Sequence, residues 1–154
     1  MKGNPEVITT LNALLADELT AINQYILHAE MCEDWGYTKL YESIEKRAIV
    51  EMKHVEQLIG RILYLEGMPI VSELNKIHIG QDVKEQFDYD LEAEVTAVKA
   101  YNAAVAQTSE LGDNGTKILL ESILTAEEEH IDWIEEQLDQ IEQMGYERYL
   151  NNQV

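Results

Sequence analysis

Cysteine is almost missing from this chain: Cys32 stands alone. A single thiol excludes an internal disulfide and any cysteine-built zinc or rubredoxin-type iron site. Proline is as scarce, with only Pro5 and Pro69, so long uninterrupted helices are allowed. No apolar run approaches the ~20 residues that a membrane span needs, and the stretch Met1–Val7 holds no apolar signal core. The expectation is a soluble, cytoplasmic protein. Positive charge is short too: 11 Lys and Arg stand against 30 Asp and Glu, a formal net charge of −19. Such a chain repels nucleic-acid phosphates and anionic lipid surfaces, so neither nucleic acid nor membrane is expected as a partner. It attracts cations, although a solvated, solubilising surface accounts for the same charge.

The 154 residues, 45% of them apolar, suffice for one domain, 1–154, with a real core. Five helical segments are legible. Asn4 before Pro5 reads as an N-cap with proline at the first helical position. That helix runs to about Trp35 and stops at Gly36. Thr38 caps a second helix, which Gly67 and Pro69 end after about Glu66. Asp82 caps a third, to about Leu111; after the turn Gly112–Gly115, Thr116 starts a fourth that ends near Gly145. Tyr146–Val154 forms a short fifth. The first–second and third–fourth connections are short, so each pair is an antiparallel hairpin. Glu66 to Gln81 can reach roughly 50 Å at ~3.3 Å per residue, more than the ~42 Å length of a helix of about 28 residues. The connection therefore crosses the whole bundle and leaves the second and third helices parallel. The expected class is all-α: a four-helix bundle of the ferritin-like variant, with one long crossover and a short fifth helix at the C-terminus.

Each long helix carries an inward stripe at alternating three- and four-residue spacing. The stripes run through Leu11, Leu14, Glu18, Ala21, Tyr25, His28 and Cys32; then Ile44, Ala48, Glu51, His54, Leu58 and Leu65. The third and fourth run through Phe87, Asp90, Glu94, Ala97, Tyr101 and Ala104; and Leu120, Ile123, Glu127, His130, Ile134 and Ile141. Every stripe is broken near its middle by a glutamate, and two carry a histidine three residues later, on the same helix face. A buried ionised carboxylate costs several kcal/mol unless paired, and four together raise one another's pKa values. No lysine or arginine stands on these stripes to neutralise them. Two divalent cations would balance the four negative charges.

A repeat supports the grouping. Glu18 and Glu94, Glu51 and Glu127, and His54 and His130 are each 76 residues apart, and Thr20, Ala21 and Tyr25 recur as Thr96, Ala97 and Tyr101. Each half thus supplies one lone Glu and one Glu-x-x-His. This is the ligand pattern of ferritin-like di-iron and di-manganese carboxylate bundles, and mixed carboxylate and imidazole donors suit iron or manganese.

Over essentially the whole length the chain resembles the bacterioferritins, most clearly in LLADELTAINQY (Leu14–Tyr25), EMKH (Glu51–His54) and EEEHIDW (Glu127–Trp133). The resemblance implies a 24-subunit hollow cage built from two-fold dimers, a homo-oligomer that oxidises Fe(II) with O2 or H2O2 and stores ferric mineral. It implies two iron ions per subunit. Glu18 and His54 are terminal ligands to one, Glu94 and His130 to the other, and Glu51 and Glu127 bridge them. Tyr25 and Tyr101 hydrogen-bond the carboxylates, or are plain core aromatics with satisfied hydroxyls. Met52 follows Glu51, so it is turned ~100° from the metal face, and its repeat counterpart is Glu128. By spacing it is a packing residue. By resemblance it pairs with its two-fold mate as the axial ligand of a haem b shared between two subunits, with a small ferredoxin as electron donor. A second apolar stripe, Leu15, Leu19, Ile22 and Ile26 with Ile49, Met52, Ile59 and Leu63, fits a subunit interface.

Some bacterioferritins carry His and Asp for an inner-surface iron site where Lys46 and Val50 stand here. His28 and His78 read as structural, and Cys32 as a small core or interface residue. Two alternatives remain: a haem-free di-metal oxidase or peroxidase on the same fold, and a non-catalytic haem-binding subunit of a mixed cage. A mini-ferritin, with its ligands split between subunits at other spacing, fits poorly.

Overall fold

A computed structural model describes residues 1–154, which form α1 (Pro5–Asp34), α2 (Thr38–Tyr64), α3 (Val83–Glu110), α4 (Asn114–Met144) and α5 (Tyr146–Asn151), with no strand. The expected five-helix order holds. Asn4 Oδ1 accepts from Glu6 N at 2.8 Å, and Asp82 accepts from Glu85 N at 2.8 Å, as their cap positions predict. Two caps differ from expectation. Thr38 is already helical, and the N-cap of α2 is Tyr37, which makes no side-chain cap bond. Instead Lys39 N donates to the Gln153 carbonyl at 3.0 Å, so the chain's last residues cover this helix end. At α4 the cap is Asp113, which accepts from Thr116 N, and the helix begins at Asn114.

Gly36, at φ 85°, ends α1 with Gly36 N on Glu33 O and Tyr37 N on Cys32 O. This is the paired closure that a left-handed residue provides. At the end of α2 the left-handed residue is Glu66, at φ 62°, not Gly67. Gly67 is required for another reason: a Cβ there would lie 2.7 Å from Ile8.

Gly3 N bonds Leu65 O, so α2 ends where α1 begins. The pairs Thr10–Gln107, Glu18–Tyr101, Gln24–Asp90 and Tyr25–Glu94 run α1 and α3 in opposite directions. It follows that α2 and α3 are parallel, and the crossover spans the bundle as its length allowed. Its route is pinned along α1. Asn12 holds Met68 O and Ile70 N, Thr20 accepts from Asn75 N, Gln24 from His78 N, and His28 Nε2 from Gly80 N at 3.0 Å. Because Gly80 N donates to Nε2, His28 carries its proton on Nδ1 and gives it to Asp90 at 2.9 Å. His28 is structural, as expected, and fully buried.

The core is split. One apolar cluster holds Leu11, Leu14, Leu58, Tyr101 and Leu120; the other holds Cys32, Ile44, Ala48, Phe87 and Ile134. Between them lies a polar layer made by the interrupted stripes. Leu15, expected on the outer apolar stripe, is fully buried in the first cluster, whereas Ile26, Ile49, Met52 and Leu63 are exposed. No helix is long and apolar enough to cross a membrane.

Candidate metal centre

All six residues singled out by spacing are buried in that layer, none more than 7% exposed. Each arrives from the middle of a long helix, where backbone hydrogen bonding on both sides fixes its position. Ligand atoms of Glu18, Glu51, His54 and Glu127 lie within 4.8 Å of one another, and so do those of Glu51, Glu94 and His130. Glu51 is common to both groups, while Glu127 falls in the first. Both histidines turn Nδ1 inward: His54 to Glu51 Oε2 at 2.9 Å and His130 to Glu94 Oε1 at 2.8 Å. Tyr101 donates to Glu18 Oε1 at 2.6 Å, and Tyr25 donates to Glu94 Oε1. The two tyrosines therefore hold the two lone glutamates, each from the opposite half of the repeat.

Three buried oxygens, Glu18 Oε2, Glu94 Oε2 and Glu127 Oε1, accept no hydrogen bond. An orphaned buried acceptor is costly, and each of the three belongs to one of the two ligand groups, whose carboxylate and imidazole donors suit a divalent cation.

The expectation that no cation faces the glutamates is corrected. Arg47, 11% exposed, donates through Nε to Glu51 Oε1 at 2.8 Å, through Nη2 to Glu127 Oε2 at 2.8 Å and through Nη1 to Ala126 O at 3.0 Å. Its signal was in the sequence as an i, i+4 pair with Glu51. It lies beside the stripe and not on it, and a long side chain reaches in from there.

Electrostatics divide the six into unlike roles. Burial, then the Glu51 and Glu127 carboxylates, push Glu18 well above the usual carboxylate range. Burial raises Glu94 to about 7, and burial with the adjacent Glu94 carboxyl raises Glu127 to about 8. Burial works against the Glu51 anion too, but the neighbouring Glu18 carboxyl, His54 and the Arg47 charge override it and hold Glu51 well below its ordinary value. Burial disfavours the imidazolium of His54, yet the adjacent Glu127 and Glu51 carboxylates lift it to about 9. Burial and Arg47 drop His130 to about 4. The layer thus favours the neutral forms of Glu18, Glu94, Glu127 and His130 and the charged forms of Glu51 and His54.

Two cavities reach the layer. One, of about 200 Å³, opens between α1 and α3 beside the crossover, past Asp17 and Glu92. The other, of about 260 Å³, lies on the α2–α4 side against Ser43, Lys46, Arg47, Val50 and His130. Asp90, on the same stripe as Glu94, belongs to neither ligand group, being taken by His28 and Gln24. Met52 lies outside the layer, 47% exposed.

The ferritin-like domain family matches residues 8–144. Over 149 residues the chain is 41% identical to a bacterioferritin of Mycobacterium leprae (strain TN), covering 97% of this chain and 94% of that one. It is 43% identical to a bacterioferritin of Brucella melitensis over 97% of this chain and 92% of that protein. To one of Rhodobacter capsulatus it is 41% identical over 94% and 90%.

Proposed function

The chain belongs to the bacterioferritin family of ferritin-like proteins, and from that premise we propose that it stores iron by oxidising Fe(II) within each subunit. Fe(II) is the substrate. Glu18 and His54 hold one ion, Glu94 and His130 the other, and Glu51 and Glu127 lie between them. Two Fe(II) give up two electrons, which one H2O2, or O2 in successive turnovers, accepts. The observation that carries this reading is the gathering of six buried ligand-type residues from four helices into two groups that share Glu51, with three carboxylate oxygens among them left without a hydrogen bond.

The chain's own residues set the conditions. Tyr25 and Tyr101 fix one oxygen of Glu94 and one of Glu18 and leave the other oxygen free. The rim carboxylates Asp17 and Glu92 draw cations to the α1–α3 mouth. The protons on Glu18, Glu94, Glu127 and His54 leave as ions arrive. Ferric product accumulates in the hollow of a 24-subunit homomeric cage assembled from two-fold dimers, in the cytoplasm.

The exposed thioether of Met52, beside the exposed Ile49 on α2, is a soft donor in an apolar surface and would hold a haem iron. A haem b would be held between the Met52 residues of two subunits. When bound it supplies a one-electron carrier, and a small ferredoxin is the donor that fits it.

The test is stopped-flow Fe(II) oxidation on size-fractionated protein, with metal analysis and an optical spectrum. Glu18→Ala and His54→Ala are expected to abolish the fast phase. An unchanged rate in both variants overturns the oxidase reading. Met52→Leu is expected to remove a Soret band of about one haem per two subunits while leaving Fe(II) oxidation in place. A parent chain with iron but no Soret band sinks the Met52 role alone.

A further inference from the structure

Arg47 takes no part in the ligand set, yet it touches two of its members. Its guanidinium ties Glu51 on α2 to Glu127 on α4, and its third bond goes to the backbone of α4 at Ala126. The nearly buried fork lines the α2–α4 cavity together with Lys46, Glu129 and His130. The α1–α3 cavity reaches Glu18, Glu51, Glu94 and Glu127 past acidic residues, with Lys76 the one cationic residue lining it. One approach to the centre is thus anionic and leads directly to carboxylates; the other, lined by Lys46 and Glu129 of opposite charge, meets an arginine held at three points. The repeat does not account for this, because the position 76 residues after Arg47 is the buried Ile123.

We infer that Arg47 closes the centre on the α2–α4 side, so that divalent ions enter and leave only through the acidic α1–α3 mouth and do not pass through the subunit. This rests on the di-metal reading above. To escape past Arg47, an ion must break the bonds of the fork to both Glu51 and Glu127. Arg47 is a positioning residue: it holds the two carboxylates in register and denies the ion a second exit. The two ions at the centre are therefore retained through turnover, and the ferric product stored in the hollow forms from Fe(II) that reaches it by another route.

The test uses Co(II) as the probe, followed by its visible absorption in the intact assembly. Asp17→Lys with Glu92→Lys reverses the charge of the α1–α3 mouth without touching a ligand. It is expected to slow Co(II) uptake by at least about tenfold at low salt. Adding Arg47→Gln to that variant is expected to restore uptake to within about threefold of the parent, by opening the other side. Arg47→Gln alone is expected to lose bound Co(II) to a chelator at least about tenfold faster than the parent. Circular dichroism and assembly size establish folding. If Arg47→Gln does not fold, Arg47→Lys, which keeps the charge but cannot span both carboxylates, carries the same comparison. Uptake unaffected by the mouth reversal overturns the proposal. So does a combined variant as slow as the mouth variant with Arg47→Gln releasing Co(II) at the parental rate. A parent chain that binds no Co(II) overturns the metal-centre reading itself, and the gate with it, which keeps the two failures distinct.

Discussion

Loading the centre with a redox-inert divalent ion is expected to expel protons, and the structure fixes roughly how many. Glu18 is held protonated by burial and its neighbours, Glu94 titrates at about 7, Glu127 at about 8 and the His54 imidazolium at about 9. Metal ligation needs all four deprotonated. At pH 6.5 the binding of two Zn(II) per subunit therefore releases about three to four protons. Four positive charges arrive as up to four leave, so the net charge of the centre hardly changes, and the Arg47 cation persists through both states. Raising the pH to 8.5 strips most of the proton from Glu94 and Glu127 beforehand and part of that from His54. The release should then fall by about 1.5 protons. Isothermal titration in buffers of different ionisation enthalpy measures this directly, because the slope of observed heat against buffer enthalpy is the proton count. A slope below about one proton per subunit at pH 6.5, or one that does not change with pH, refutes the assignment of protons to these four groups.

Three further outcomes are expected. The metal-free protein should lose thermal stability as pH climbs from 6 to 9. Groups raised in the fold contribute fully below their ordinary values, and that contribution is lost as pH passes about 7 for Glu94, 8 for Glu127 and 9 for His54. A melting temperature that rises over this range contradicts it. His28→Ala leaves Asp90 and Gly80 N without their partner in a buried layer and should cost about 2–4 kcal/mol by chemical denaturation; a loss under about 0.5 kcal/mol would mean water substitutes freely. Tyr101→Phe removes the one hydrogen bond to Glu18 and should weaken Zn(II) affinity by roughly tenfold or more, read by competition with a chromophoric chelator, with secondary structure unchanged.

Where the sequence was informative, the reason was periodicity. Six candidate ligand residues lie on inward stripes, and an i, i+3 spacing puts Glu51 with His54 and Glu127 with His130 on one face whatever the tertiary details. The crossover was legible because its length and the helix length are both simple multiples of chain geometry. What escaped depends on contacts between distant residues. Lys39 N finds its acceptor at Gln153, and His28 finds Asp90 and Gly80, across separations that no local pattern encodes. Glu66 takes the left-handed position where Gly67 was the natural candidate, and Gly67 is glycine because Ile8 leaves no room for a side chain there. Arg47 was missed for a different reason. Inward stripes identify residues whose Cα faces the core, and arginine acts at its far end.

The 76-residue repeat makes the two ligand halves copies of each other in composition, but not in surroundings. The corresponding histidines are driven in opposite directions, His54 up to about 9 and His130 down to about 4. Arg47 in one half faces Ile123 in the other, and His28, which anchors the crossover, is matched by Ala104. A duplicated scaffold has thereby lost its degeneracy. The half around Glu94 and His130 presents an imidazole that burial keeps neutral, while the half around Glu18 and His54 presents one that neighbouring carboxylates favour as the cation. A twinned motif has become two chemically distinct environments.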